Sequence, residues 1–213
     1  MAATRRRLIS AGLALPLVSL PLVTLPLVTL LQGCERAGTP AGFKAVDITG
    51  ATYAQELDLP DTEGRRRHIA DFKGKLVVAF FGFTQCPDVC PTTMLELAEV
   101  KKALGADGAK VQGIFISLDP ERDTPEVLKA YVNNFSPDFI ALRGTLEETQ
   151  ATAKRFKVFY AKVPGKTAGS YSLDHTAGSF VFDAHGKIRL FTRYGAGSAE
   201  ALKHDLQLLL KQA

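Results

Sequence analysis

One continuous apolar run stands out in the pattern of hydrophobic and polar positions along the chain. It covers residues 76–83 and is rich in valine and phenylalanine, and a second, largely apolar segment covers residues 111–118. Runs without polar alternation are typical of central strands that are covered on both faces. We therefore predict two neighbouring buried strands, with a shorter strand over residues 139–142.

Four helices are predicted from apolar residues at helical spacing. The first begins near Pro91 and ends before Gly105, the second begins at Thr124, and the last follows Ser198. The third begins at Thr145, which forms a capping-box pattern with the glutamate three positions later. The inward-facing positions are Met94, Leu97, Ala98 and Leu104; Val127, Leu128, Tyr131 and Phe135; Leu146, Thr149, Ala153 and Phe156; and Leu202, Leu206 and Leu209.

Two hairpins complete the predicted elements. Residues 179–183 and 188–192 flank a turn at residues 184–186, and residues 44–72 add an N-terminal hairpin around the turn at residues 61–64. The order β-α-β-α-β-α-β-β-α resembles the thioredoxin-like plan. We therefore expect an α/β fold with a central mixed β-sheet flanked by helices and an N-terminal β-hairpin extension. In such folds chemistry lies where the first central strand meets its helix, at the carboxyl end of the sheet.

Composition and charge indicate one exported domain. The chain has 213 residues, of which 46% are hydrophobic and 23% charged, so widespread disorder is excluded. Residues 5–7 are three arginines, and no charged side chain follows until after residue 31, which is typical of an export signal over residues 1–33. Without this segment 23 basic residues face 22 acidic ones. The rest of the chain is therefore nearly neutral. Its sequence shows no basic surface with interspersed aromatic residues, so a nucleic-acid partner is not expected.

Two kinds of membrane anchor remain open. An uncleaved transmembrane helix fits the length of the apolar segment, although prolines at positions 16, 21 and 26 would interrupt its hydrogen bonds. Alternatively, residues 31–34, LQGC, resemble a bacterial lipobox, and cleavage before Cys34 would leave a lipid on its sulfur. Either anchor places a tether over residues 34–42 and a domain over residues 43–213 outside the cytoplasm, on the periplasmic side of the envelope.

Two cysteines lie at the predicted strand–helix junction, where residues 86–91 have the sequence CPDVCP. A helix N-terminus favours thiolates, which are both redox nucleophiles and ligands for soft metals. Location alone therefore does not choose between redox and metal chemistry. The spacing of Cys86 and Cys90 is one residue wider than in thioredoxin-type oxidoreductases, which leaves room for an ion, and the pair is also close enough to form a disulfide.

A metal held by two sulfurs needs a third ligand, and His175 is the best candidate among four histidines. His68, His185 and His204 are predicted on the surface. His175 follows a predicted flexible loop over residues 162–174 and precedes the strand at residues 179–183, whose entry faces the cysteines in thioredoxin-like folds. The cis-proline that many thioredoxin relatives carry there is absent from the sequence HTAG at residues 175–178.

Three blocks together resemble the SCO/SenC family of copper proteins: residues 86–91, residues 117–125 (SLDPERDTP) and residues 174–176 (DHT). The resemblance implies that Cys86, Cys90 and His175 bind Cu(I), with Cu(II) left open, and such donors would also suit zinc. Asp119 is predicted at the same edge of the sheet as the two cysteines. It either contacts the site or a partner, or is a turn residue before Pro120.

The resemblance further implies a metallochaperone rather than an enzyme. Its expected role is to help build the dinuclear copper centre of cytochrome c oxidase, with the oxidase copper subunit or another periplasmic copper protein as partner. A thiol–disulfide oxidoreductase that uses Cys86 and Cys90 as its redox pair is the alternative. A thioredoxin-like peroxidase is the third hypothesis. A peroxidase would need one of the two cysteines far more than the other.

Overall fold

A six-stranded mixed sheet forms the centre of the computed structural model, which describes residues 42–213. The strands are β1 (Val46–Asp47), β2 (Asp58–Pro60), β3 (Arg66–His68), β4 (Leu76–Gly82), β5 (Val111–Ser117), β6 (Ile140–Leu142), β7 (Tyr160–Pro164), β8 (Tyr171–His175), β9 (Ser179–Phe182) and β10 (Ile188–Thr192). The helices are α1 (Val89–Ala103), α2 (Pro125–Asn133), α3 (Leu146–Phe156) and α4 (Ser198–Leu210). Short 3-10 helices cover Ile69–Phe72 and Gly105–Lys110.

The sheet has the order β1-β10-β9-β4-β5-β6. Strands β4, β5 and β6 are parallel, whereas β9, β10 and β1 add in antiparallel fashion. Every residue of β4 and β5 is buried, as predicted for two central strands. The predicted central mixed sheet flanked by helices is thereby confirmed.

The helix starts largely follow their predicted caps. Thr145 accepts the backbone N–H of Glu148 at 3.2 Å, and the Glu148 carboxylate accepts the backbone N–H of Thr145 at 2.8 Å. Two predicted inward positions are wrong, because Val127 and Leu146 are 43% and 42% exposed. Both lie in the first turn of their helices, outside the stripe that faces the sheet.

The observed hairpins match the predictions from the sequence only in part. Strands β2 and β3 form the predicted N-terminal hairpin, and β9 and β10 form the predicted C-terminal one. The predicted flexible loop over residues 162–174 is wrong. Strands β7 and β8 pair there in a separate two-stranded ribbon, whose register joins Tyr160 to His175 and Pro164 to Tyr171.

The predicted export segment, Cys34 and the tether up to residue 41 lie outside the described residues. Among residues 42–213, none of the helices combines the length and apolar character that crossing a membrane requires.

Candidate metal centre

The two cysteines lie where β4 passes into α1. Cys86 is half-buried in the connecting loop, and Cys90 is fully buried. Helix α1 begins at Val89 rather than at Pro91, so Cys90 belongs to its first turn. The backbone N–H of Cys90 donates to Cys86 Sγ at 3.4 Å. One N–H group of the helix N-terminus is therefore directed at the more exposed sulfur.

A glycine makes room for the buried sulfur. A Cβ atom on Gly82 would lie 2.9 Å from Cys90 Sγ and 2.8 Å from the ring of Phe80. The residue at this position must therefore lack a side chain, because the Cys90 sulfur and the Phe80 ring are both fully buried. Sequence reasoning did not single out Gly82.

His175 lies at the end of β8, with its ring enclosed by two phenylalanines. The ring centroids of Phe80 and Phe83 are each 6.0 Å away, in edge-on orientation. Imidazole Nδ1 lies 3.1 Å from the carbonyl oxygen of Thr176, so it carries the proton and donates to that carbonyl. Nε2 is then the unprotonated nitrogen, and it faces Cys90 Sγ at 3.6 Å.

The donor atoms of Cys86, Cys90 and His175 all lie within 4.8 Å of one another, the one such cluster found among residues 42–213. Metal bonds of about 2.3 Å to sulfur and about 2.0 Å to nitrogen, at a near-tetrahedral angle, place two ligand atoms roughly 3.5 Å apart. The separation of 3.6 Å between sulfur and imidazole nitrogen fits this requirement. The residues present therefore fit a soft metal ion.

Burial sets the protonation of the site. Burial raises the pKa of the Cys90 thiol well above its usual range and lowers the pKa of the His175 imidazole. The predicted preference of the helix N-terminus for thiolate is therefore outweighed at Cys90 by loss of solvent. Both cysteines are free thiols, and the predicted Cys86–Cys90 disulfide stays a prediction.

Asp119 is buried at the same edge of the sheet, as predicted, and forms an ion pair. Its carboxylate accepts from Arg122 Nε at 2.5 Å and from the Tyr171 hydroxyl at 2.8 Å. It thus contacts the strand that ends in His175, and it is not one of the three clustered donors.

A second buried carboxyl group, on Asp123, was not predicted. It accepts from the hydroxyls of Thr84 and Ser117, each at 2.6 Å, and from the backbone N–H of Thr84 at 3.2 Å. Burial raises the pKa of this carboxyl group. These bonds fix the start of the cysteine loop to the end of β5.

The other histidines are not part of the cluster. His68 and His185 are exposed, as predicted. His204 is half-buried rather than exposed, and its Nε2 lies 3.0 Å from the carbonyl oxygen of Gly42. Met94 is fully buried in the core.

The fold and the cluster define the class of protein. It is a thioredoxin-like protein with two thiols and an imidazole at the carboxyl end of its central strands. A sequence profile described as SCO1/SenC matches residues 46–211. A SCO2-like protein of Rickettsia felis is 39% identical over 133 residues, which span 62% of this chain and 65% of that protein, just under two thirds of its length. The chain belongs to the SCO1/SenC family.

Solved structures agree with this assignment. Bradyrhizobium japonicum ScoI with copper bound is 39% identical, with a TM-score of 0.65 over 73% of this chain and 98% of that chain. Apo Sco1 of Thermus thermophilus is 37% identical, with a TM-score of 0.66 over 79% of this chain and all of that chain. The thioredoxin-like fold predicted from the sequence is thereby confirmed.

Proposed function

We propose that this protein is a copper metallochaperone that binds copper, as cargo, through Cys86, Cys90 and His175. The observation that carries the proposal is the convergence of two thiol sulfurs and an imidazole nitrogen within 4.8 Å of one another. Sulfur and imidazole donors suit Cu(I). The presence of copper in Bradyrhizobium japonicum ScoI supports this choice over zinc.

The unequal burial of the two sulfurs suits a carrier that must release its ion. Cys90 is fully buried and His175 packs edge-on against Phe80 and Phe83, whereas Cys86 is half-buried in a loop. A partner's ligand can therefore approach the ion beside Cys86 while the inner donors still hold it. Ion transfer by stepwise exchange of ligands follows from this arrangement.

The place of action follows from the N-terminal segment. The protein is held on the periplasmic side of the envelope by a lipid on Cys34 or by an N-terminal helix. Its partner is the copper subunit of cytochrome c oxidase, or another periplasmic copper protein, as the family resemblance implies. Delivery to the dinuclear copper centre is the proposed reaction.

A thiol–disulfide oxidoreductase is the second candidate, and one observation favours it. Cys86 is accessible and accepts the helix N–H, whereas Cys90 is buried behind it, which is the arrangement of an attacking and a resolving thiol. The two functions use the same residues. They differ in their need for His175.

The test is the copper content of the purified full-length protein, with and without reductant. We expect one Cu(I) per chain in the reduced protein and none in the oxidised protein, since a disulfide offers no thiolate. The double variant Cys86→Ser, Cys90→Ser is the control for adventitious binding. Disulfide exchange without stoichiometric copper in the reduced protein would favour the oxidoreductase instead.

A further inference from the structure

The ribbon that carries His175 depends on side chains for its position. Strands β7 and β8 pair only with each other, so no backbone ladder joins them to the main sheet. Three side-chain contacts reach across to residues 119–121. The Tyr171 hydroxyl donates to Asp119 at 2.8 Å and lies 3.3 Å from the Glu121 carboxylate, and Lys162 forms an ion pair with Glu121. Of these contacts, the one to Asp119 is the most buried.

Arg122 joins this ribbon to the cysteine loop. Its guanidinium lies 3.6 Å from the ring centroid of Tyr171, and its Nη1 donates to the Tyr171 carbonyl oxygen at 2.8 Å. The same Nη1 donates to the side-chain oxygen of Gln85, next to Cys86, at 2.9 Å. Its Nε is paired with Asp119 at 2.5 Å. One side chain therefore contacts both segments that supply the clustered donors.

We propose that Arg122 is a positioning residue that holds the His175 ribbon against the cysteine loop and so keeps the three donor atoms within reach of one ion. The inference rests on the proposed copper site. A planar guanidinium can stack on Tyr171 while its separate N–H groups bond to Asp119, Gln85 and the ribbon backbone. A lysine at this position keeps the charge but cannot make these contacts together.

The buried ion pair alone would give Arg122 a merely structural role. The Asp119 side chain is 1% exposed, so removing the positive charge would leave an uncompensated carboxylate and endanger the fold. Arg122→Lys avoids this problem because it keeps the charge. A structural role predicts lower stability and no specific link to His175, whereas positioning predicts that the effect on copper depends on His175.

The experiment is a double-mutant cycle on Cu(I) affinity, measured with the full-length reduced protein against a chelator. Arg122→Lys should weaken Cu(I) binding by about 10-fold, the lower end of the range for residues that orient a ligand. In the His175→Ala background the same change should cost less than about twofold, as expected for a lost coupling. Arg67→Lys is the matched control. Arg67 is similarly half-buried, and its Nε pairs with the buried carboxylate of Asp61 at a distance of 2.9 Å, in a part of the fold that does not contact the site.

Tyr171→Leu removes the other half of the stack and serves if Arg122→Lys fails to fold. It should likewise weaken binding only when His175 is present. Equal losses in the wild-type and His175→Ala backgrounds would overturn the inference, as would wild-type affinity in both variants. If His175→Ala on its own still weakens Cu(I) binding, either of these two results overturns the positioning role of Arg122 but not the proposed copper site. Absence of Cu(I) binding by the wild type would overturn both proposals.

Discussion

Replacement of Gly82 by alanine would place a methyl group against the buried sulfur of the proposed site. Its Cβ would lie 2.8 Å from Phe80 Cε1, 2.9 Å from Cys90 Sγ and 3.0 Å from Phe115 Cε2. Phe80, Phe115 and Cys90 are all fully buried, so none of them can turn out into solvent. The crowding must therefore be relieved by shifts inside the core.

The size of the effect follows from these distances. Favourable contacts between such atoms need about 3.5 Å, so the Cys90 sulfur must move by roughly half an ångström. Overpacking of this kind costs about 1–3 kcal/mol of unfolding free energy. A binding site tolerates misplacement of a ligand by only about 0.5 Å. We therefore expect Cu(I) affinity to fall by about 10-fold, with a measurable loss of stability.

Gly113→Ala provides the matched control. A Cβ on Gly113 would lie 2.5 Å from the ring of Phe139 and 3.1 Å from Leu97, so it overpacks the same sheet without touching a donor residue. Both variants should lose stability in urea unfolding. Only Gly82→Ala should lose affinity in a Cu(I) competition titration. Equal affinity losses in the two variants, or wild-type affinity in Gly82→Ala, would refute the reasoning.

Three further predictions concern protonation, redox state and anchoring. Burial raises the pKa of the Cys90 thiol, so the folded apo-protein keeps a proton that the unfolded chain loses above a pH of about 8.5. The free energy of unfolding should therefore decrease as pH rises beyond that point, and Cys90→Ser should flatten the decrease in urea titrations. Oxidation of Cys86 and Cys90 to a disulfide should abolish Cu(I) uptake until a reductant is added. Equal uptake by oxidised and reduced protein would argue against these ligands. Cys34→Ser should block lipid attachment and leave an unprocessed precursor, whereas a wild-type mature chain that begins elsewhere without lipid, by mass spectrometry, would exclude lipidation.

The central strands and the cysteine junction were predictable because they depend on local sequence. All seven positions of β4 and of β5 are buried; β4 is apolar throughout, and β5 is apolar apart from Gln112 and Ser117. The Thr145 cap is likewise local, since donor and acceptor are three residues apart. Cys86 and Cys90 follow β4 directly, which placed them at the edge of the sheet.

The supports of the site could not be predicted because they depend on distant contacts. The β7–β8 ribbon lies apart from the main sheet, so its mixed, partly exposed residues carry no apolar run and resemble a loop. Arg122 meets Gln85 and Tyr171 across separations of 37 and 49 residues. The protonation of Cys90 depends on its burial, which opposes the local effect of the helix terminus.

A Cu(I) competition titration of the wild type and His175→Ala across pH tests the central claim most directly. If His175 is a ligand, the variant should bind at least about 10–100-fold more weakly, since even residues that only support a ligand have effects of that size. Its affinity should also depend less steeply on pH, because the imidazole no longer competes for protons. His185→Ala, in an exposed turn, should match the wild type. Unchanged affinity and unchanged pH dependence in His175→Ala would contradict the proposed site and favour the oxidoreductase.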